Sequence, residues 1–439
     1  MKRTVESGKT LLVDGPASVI VASGDVEAFG FKVPDGHRIV IREGKRLPFV
    51  VEETATFDIS LGENAEVDEV DGSTIPSSWV NAQEELLNIQ KRPMVAMVLG
   101  AVDSGKTSFC TYLINKLLRE KWKVAILDGD LGQSDIGPPC TIAYTFVMKP
   151  VTDLFNLKMK NAFFAGFTSP SVSISKVING LVTLKNEVLE QNPDFLIVNT
   201  DGWVEGKEAV SYKVQLVEKV NPDVVFCIQQ KDELAPILEG LERFRMLIVE
   251  SPSAIRQRSR EKRRSLRELG YVKHLKNAKV RSFPLSWIKV EENELLEAVE
   301  NRRNFRQERK ICELLGMKPL HLSESQNKIY IVIGKGKWLD WGNIQKVEEL
   351  TKKKIIVVRK GEEQGSLLAL YNGKRKFLGI GILREIDYRR KTMKIYTPVS
   401  DKVSTVSVGK VKLDKNLKEI PLPTEENVSE DFRAFKELF

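Results

Sequence analysis

Eight consecutive residues, Gly100-Ala101-Val102-Asp103-Ser104-Gly105-Lys106-Thr107, carry the pattern G-x-x-x-x-G-K-T, and Ser108 follows them. Such a run can hold a polyphosphate. The two glycines let the backbone curl so that successive N–H groups converge on phosphate oxygens. A helix starting there presents its positive end to the same anion. Lys106 would then reach the β- and γ-phosphates of a nucleoside triphosphate, and the Thr107 hydroxyl would be a ligand for Mg²⁺. The pattern carries this meaning only between a strand and a helix. Here the apolar run Met94–Leu99 precedes it and a helical stretch from Lys106 to about Glu120 follows.

Three further clusters fall near predicted strand ends. Leu127-Asp128-Gly129-Asp130-Leu131-Gly132-Gln133 closes the next strand. Acidic residues at the carboxyl end of a parallel strand lie in the crevice where ligands bind. There one carboxylate can hold the metal, and the other can accept a proton from an attacking hydroxyl. The competing reading makes Asp128 and Asp130 a turn and cap. Val198-Asn199-Thr200-Asp201-Gly202-Trp203 ends a later strand and offers an aromatic face for a nucleobase, although Trp203 alone would read as core. Last, Arg256, Arg258, Arg260, Lys262, Arg263, Arg264 and Arg267 follow the strand Met246–Val249. Arginines on a lid can stabilise the charge of a phosphoryl group in transfer and exclude water.

Three blocks of elements must position these groups. Short β-like runs bounded by Gly, Asp and Pro fill residues 1–75 and predict a small β-sandwich or roll. Residues 76–318 alternate continuous apolar strands with helical stretches such as 172–189 and 206–220, which predicts a parallel sheet covered by helices. A mixed charged helix over about 292–315 is expected to close that block. Residues 319–439 return to β signals, including a hairpin at Tyr371-Asn372-Gly373-Lys374. The expected fold class is therefore α/β: a central P-loop domain flanked by an N-terminal β-sandwich-like domain and a small C-terminal β-rich domain.

Charge is divided the same way. Residues 1–80 hold 8 Lys/Arg against 14 Asp/Glu, whereas the remaining residues hold 60 against 46. Between Arg256 and Arg281 there are 11 basic residues and two acids, which suggests a polyanionic partner. The acidic N-terminal domain is a poor surface for such a partner and a better one for docking on the basic remainder or on another protein. The longest apolar stretch, Met94–Val102, falls far short of the roughly 20 residues a membrane helix needs. Four dispersed cysteines without a C-x-x-C pair, and a polar N-terminus, lead us to expect a cytoplasmic protein without disulfides or a cysteine zinc site. Trp338 and Trp341, beside Lys335, Lys337 and Lys346, are read as packing residues of the C-terminal domain, with nucleic-acid contact as the alternative.

In combination, the phosphate loop, D-x-D-x-G-Q, T-x-G-W and an arginine-rich lid resemble the polynucleotide 5′-hydroxyl kinase family, as an archaeal-type member. The likeness covers about Met94–Tyr271 by motif and the flanking domains by order only. It implies transfer of the ATP γ-phosphate, with Mg²⁺ or another divalent cation, to the 5′-hydroxyl of RNA and possibly DNA. By the same resemblance Lys106 would hold phosphates, Thr107 and Asp128 would serve the metal, and Asp130 would be the general base. Gln133, Thr200, Gly202 and Trp203 would hold the substrate end, and Arg256, Arg258 and Arg260 would act from the lid. Two rivals stand beside it. One is a catalytically silent ATP-bound scaffold in RNA processing. The other is a hydrolysing GTPase or ATPase, against which Val224–Lys231 and the residues after it show no N-K-x-D guanine motif.

Overall fold

The computed structural model describes residues 1–300 and 307–421. The chain divides into two compact units, Met1–Gly270 and Tyr271–Phe439. The first contains two sheets. Its N-terminal sheet comprises β1 (Lys2–Val5), β2 (Lys9–Asp14), β3 (Ala17–Ala28), β4 (Phe31–Lys32), β5 (Arg38–Ile41), β6 (Arg46–Leu61) and β7 (Val67–Asp71). The order is β4-β3-β6-β2-β7, with β1 added to β6 and β5 to β3, and every pairing is antiparallel. Register shifts between Val21 and Val26 bend β3, so that Val19, Val21, Phe49, Phe57 and Ile59 share one buried core.

The second sheet is the α/β layer. After α1 (Ser77–Asn88) come β8 (Met94–Gly100), α2 (Lys106–Arg119), β9 (Val124–Asp128), β10 (Thr141–Val147) and β11 (Asn161–Phe164). Then follow α3 (Ile174–Leu189), β12 (Phe195–Asn199), α4 (Lys207–Val220), β13 (Val224–Gln229), α5 (Ala235–Glu239), β14 (Met246–Glu250) and α6 (Arg260–His274). The strand order is β11-β10-β9-β12-β8-β13-β14. All seven residues of β8 are buried because both faces of the strand are covered. On one face Met97 and Leu99 join Val177, Leu181, Tyr212 and Leu216 of α3 and α4. On the other, Trp79 of α1, Phe109 of α2 and Phe226 of β13 meet edge to face, with ring centroids 5.1 Å apart at each step. The expected parallel sheet is found from β9 through β14, but β10 runs against both its neighbours. The switch of strand order at β8 and β12 opens the crevice where such sheets bind ligands.

In the second unit, β15 (Lys279–Pro284), β16 (Lys289–Glu291), β20 (Ser366–Tyr371), β21 (Phe377–Asp387), β22 (Thr392–Thr397) and β23 (Thr405–Lys412) form one sheet, ordered β15-β22-β21-β20-β23-β16. A smaller layer pairs β17 (His321–Glu324), β18 (Lys328–Ile333) and β19 (Lys354–Arg359), with α8 (Glu308–Leu315) and α9 (Trp341–Thr351) packed on it. The division into two units falls at Gly270, ahead of residues 279–284 and 289–291, which pair with β22 and β23. The single charged helix expected over 292–315 is instead α7 (Glu294–Glu300) and α8, with 301–306 outside the described residues. The hairpin at Asn372 forms as a five-residue loop in which the Asn372 side chain accepts from the amides of Lys374 and Lys376.

Candidate active site

The carboxyl ends of β8, β9, β12 and β14 open into a cleft of about 650 Å³ in the first unit. Its floor is the phosphate loop from Val102 to Thr107. Gly105 has φ +96° and stands at the N-cap of α2 with no side chain capping the helix, which leaves the first-turn amides for an anion. A side chain at Gly100 would lie 2.5 Å from Ser104 Oγ and 2.7 Å from the Ile228 carbonyl, so only glycine fits. Residues Val102 to Ser108 line the cleft, whereas Gly100 and Ala101 lie behind them. Lys106 Nζ donates to the Ala101 carbonyl at 2.6 Å. Burial, reinforced by the positive charge of Lys213, lowers its pKa to about 8.

At the end of β9 the two aspartates part company. Asp128 is wholly buried and lies off the cleft wall. One of its oxygens accepts from Asn199 Nδ2 at 3.0 Å, and the other accepts from the Asp135 amide at 2.8 Å. Burial, then the nearby carboxylates of Asp135 and Asp130, raise its pKa to about 7. Asn199 Nδ2 also lies 3.5 Å from Thr107 Oγ1, which links the two residues expected at the metal. Asp130 does line the cleft. Its Oδ1 accepts from the amides of Gly132 at 3.0 Å and Gln133 at 2.9 Å, so the turn reading is realised while the carboxylate still faces the cavity. Burial, then Asp201, push its pKa upward, and Lys106 opposes them. Gln133 Nε2 donates to the Arg263 carbonyl at 3.1 Å and so ties this turn to α6.

The end of β12 is arranged differently from its sequence reading. Thr200 is buried off the cleft wall, and its hydroxyl is used by the β8 backbone, donating to the Val98 carbonyl at 2.8 Å. Gly202 does reach the cleft, where a Cβ would fall 2.6 Å from the Val102 amide nitrogen; this glycine seats the strand end against the phosphate loop. Trp203 lies on the wall, half-buried and stacked on Tyr212 at 5.7 Å. The group holding it is Asp201, a member of that strand end to which sequence alone assigned no role. Its carboxylate accepts from the Trp203 amide at 3.0 Å and from the Tyr212 hydroxyl at 2.7 Å, and it pairs with the fully buried Lys213 at 3.0 Å. Lys213 shares the inward face of α4 with Ala209, Leu216 and Val217, and a lysine among apolar helix positions was the available signal.

The lid arginines divide into three groups. Arg256 borders the cleft but reaches out to Glu66 and Asp14 of the N-terminal sheet, at 2.5 and 3.2 Å. Arg260 is exposed and lies off the wall, because it starts a helix that turns its next residues inward. Arg258 and Arg263 line the cleft with Arg267, and both pair with Asp103 of the phosphate loop, at 3.5 and 3.3 Å. The fourth wall is the N-terminal sheet, through Asp14, Arg42, Lys45 and Arg46. Arg42 donates to Asp135 and, at 2.5 Å, to Asp153, while stacking over Phe155 at 4.4 Å. Lys45 adds a 3.2 Å contact to Asp135. Burial works against ionisation of Asp135, but Lys45 and Arg42 overcome it and hold its pKa below the ordinary carboxylate value. Docking on the basic remainder was expected of this acidic domain, and Glu27, Glu43 and Glu66 do pair with Lys116, Lys262 and Arg256; Arg42 and Lys45 add the reverse pairing, on Asp135 and Asp153.

A glycine loop between strand and helix, an acidic strand end beside it and a lid of arginines define a P-loop protein built to handle a nucleoside triphosphate. The profile of the mRNA cleavage and polyadenylation factor CLP1 P-loop family matches residues 100–277. The polyribonucleotide 5′-hydroxyl-kinase of Pyrococcus furiosus is 30% identical over 350 residues, covering 79% of this chain and 95% of the relative. That of Methanocaldococcus jannaschii is 27% identical over 354 residues, 79% and 94% of the two chains. The chain belongs to the polyribonucleotide 5′-hydroxyl-kinase family. The same fold is found in the solved structure of the Clp1p–Pcf11p complex, with TM-score 0.65 at 11% identity over 94% of this chain and 97% of that one. Among the described residues, no helix is long and apolar enough to cross a membrane.

Proposed function

We propose that the protein transfers the ATP γ-phosphate to the 5′-hydroxyl end of RNA, and of DNA where the end fits, from the cleft of the first unit, in the cytoplasm. The observation that carries this reading is that one cavity wall joins Lys106, Asp130, Trp203, Arg258 and Arg263. A scaffold that only retained ATP would need the loop and not the other four. We read the chain as three modules: an N-terminal β module walling the cleft, the P-loop module, and a C-terminal β-rich module beginning near residue 271.

The transfer is mainly a problem of positioning and charge. The loop amides and Lys106 hold the β- and γ-phosphates. Arg258 and Arg263, now neutralised by Asp103, are near enough for arriving phosphate oxygens to compete for them. Asp130, with its basicity raised by burial, takes the proton of the 5′-hydroxyl. Trp203 offers a stacking face to the first base, and Asp201 with Tyr212 fixes its orientation. A divalent ion would suit the oxygen set here: the Thr107 hydroxyl on the wall, and the Asp128 carboxylate behind it through Asn199. It would neutralise charge between the phosphates. The test is incubation with γ-labelled ATP, Mg²⁺ and a 5′-hydroxyl oligonucleotide. Label on the oligonucleotide, lost with Lys106→Ala, is expected; ATP binding without label transfer would favour the scaffold.

A further inference from the structure

The second unit displays a surface that the cleft chemistry does not use. Between β18 and α9 runs the loop Gly334-Lys335-Gly336-Lys337-Trp338-Leu339-Asp340. Packing of its tryptophans into the C-terminal core was expected. Instead Trp338 is 67% exposed, and Trp341, which opens α9, is 66% exposed. The loop is nevertheless held in place. Leu339 inserts among the apolar side chains around Ile344 and Val347. The Lys337 amide donates to the Gly334 carbonyl at 3.1 Å, and the Asp340 side chain caps α9 through the Asn343 amide at 3.2 Å. A firmly anchored loop that presents two large aromatic rings to solvent has forgone their burial.

The charges around the rings identify what would cover them. Residues 335–360 hold eight Lys/Arg and three Asp/Glu. Two of those acids are occupied internally, Asp340 in its cap and Glu348 in accepting the Ile355 amide at 2.9 Å. Lys335, Lys337 and Lys346 are exposed, and among the described residues none of the three has an acidic partner. The Arg359 guanidinium lies 4.1 Å from the Trp338 ring centroid and stacks a cation against the aromatic. Aromatic faces interleaved with unneutralised lysines match a single-stranded polynucleotide, in which bases stack and phosphates alternate. An apolar or acidic protein partner would leave one half of that pattern unused.

We infer that Trp338 and Trp341, flanked by Lys335, Lys337 and Lys346, form a second binding surface for single-stranded nucleic acid, separate from the cleft that holds the reacting end. The inference rests on the kinase reading only for the identity of the polyanion. It assigns the second unit a hold on the body of a long strand.

The test separates binding from transfer. Full-length protein is titrated with a fluorescent 5′-hydroxyl oligouridine of about 20 nucleotides, long enough to span more than one contact site. Transfer is measured in parallel on a 5′-hydroxyl dinucleotide, which offers the cleft a reacting end and almost no strand beyond it. The W338A/W341A double variant is expected to bind the long strand at least tenfold more weakly. Its KM for the dinucleotide and for ATP should be unchanged, and W338F/W341F should restore most of the affinity. K335A/K337A should lower the slope of log affinity against log salt by about 1.4, or about 0.7 for each lysine on a single strand. Unchanged long-strand affinity in W338A/W341A overturns the inference, as does loss of a concentration-dependent self-association while RNA affinity holds. If wild-type protein binds the long strand through these tryptophans but labels no acceptor, the kinase reading fails and the surface stands.

Discussion

The ion pair behind Trp203 gives the sharpest test of how the cleft is held. Lys213 has no exposed side-chain surface, and its partner Asp201 has 7%. Nζ donates to the Asp201 carbonyl at 2.7 Å and pairs with Asp201 Oδ2 at 3.0 Å. Lys213→Met keeps the stem and its packing but removes the charge. Asp201 then remains a buried carboxylate with hydrogen bonds from an amide and a phenol but without its cationic partner, and removing one member of a buried pair costs about 3–5 kcal/mol. Whole-domain stabilities are about 5–15 kcal/mol, so the variant should fold with much of its margin gone. Urea unfolding followed by circular dichroism reads the loss as a lower midpoint at unchanged slope. Asp201→Asn alone strands the ammonium and should cost a similar amount. The double variant Lys213→Met/Asp201→Asn carries neither charge, and it should be at least about 2 kcal/mol more stable than the sum of the single losses predicts. A Lys213→Met loss within about 0.5 kcal/mol, with additive behaviour in the double variant, would refute the pairing as the support of this wall.

Other expectations follow from the same geometry. Asp130→Asn should leave ATP affinity nearly intact and slow transfer by about 10²–10⁴, read in single-turnover assays; a normal rate would remove Asp130 as the base. Trp203→Ala should weaken oligonucleotide binding by about 1–3 kcal/mol while sparing ATP, whereas equal loss of both would make the ring a packing residue. Lys106, with its pKa near 8, is charged below that pH and neutral above it. ATP affinity should therefore be flat on the acid side and weaken by up to about tenfold per pH unit above 8, a trend absent in Lys106→Ala. Asp128, with its pKa near 7, is protonated below that pH, so the Mg²⁺ concentration for half-maximal rate should climb as pH falls below 7.

The parts of this site that could be read in the sequence are those written within a few consecutive residues. The phosphate loop needs only a strand before it and a helix after it, and both announce themselves by local pattern. Asp130 and Trp203 were legible because strand ends of a parallel sheet converge. Thr200 misled because its neighbours point the right way while its own hydroxyl is consumed by β8. The arginines were legible as a group and not singly: the choice between Arg260 and Arg263 depends on where α6 begins and on Asp103, about 160 residues away in sequence. Lys213 and Asp201 meet only through the fold. Thr141–Val147 has the composition of a strand, but its direction in β10 is set by its partners, which no local pattern encodes. Arg42 and Lys45 lay inside a domain whose net charge pointed the other way, since net charge says nothing about which face is docked.

The Arg42–Asp135 contact also bears on how such a chain can be divided. Asp135 is a buried carboxylate that belongs to the P-loop module, and the cations neutralising it belong to the N-terminal sheet. Its own amide supports Asp128. Excising residues 1–75 would leave that charge stranded beneath the nucleotide cleft, at a cost comparable to a large part of a domain's stability. The motif-bearing core is therefore not a transplantable cassette. Shuffling or truncation that parts it from the N-terminal sheet must also replace Asp135 and Asp153, because the two sheets share one set of ion pairs.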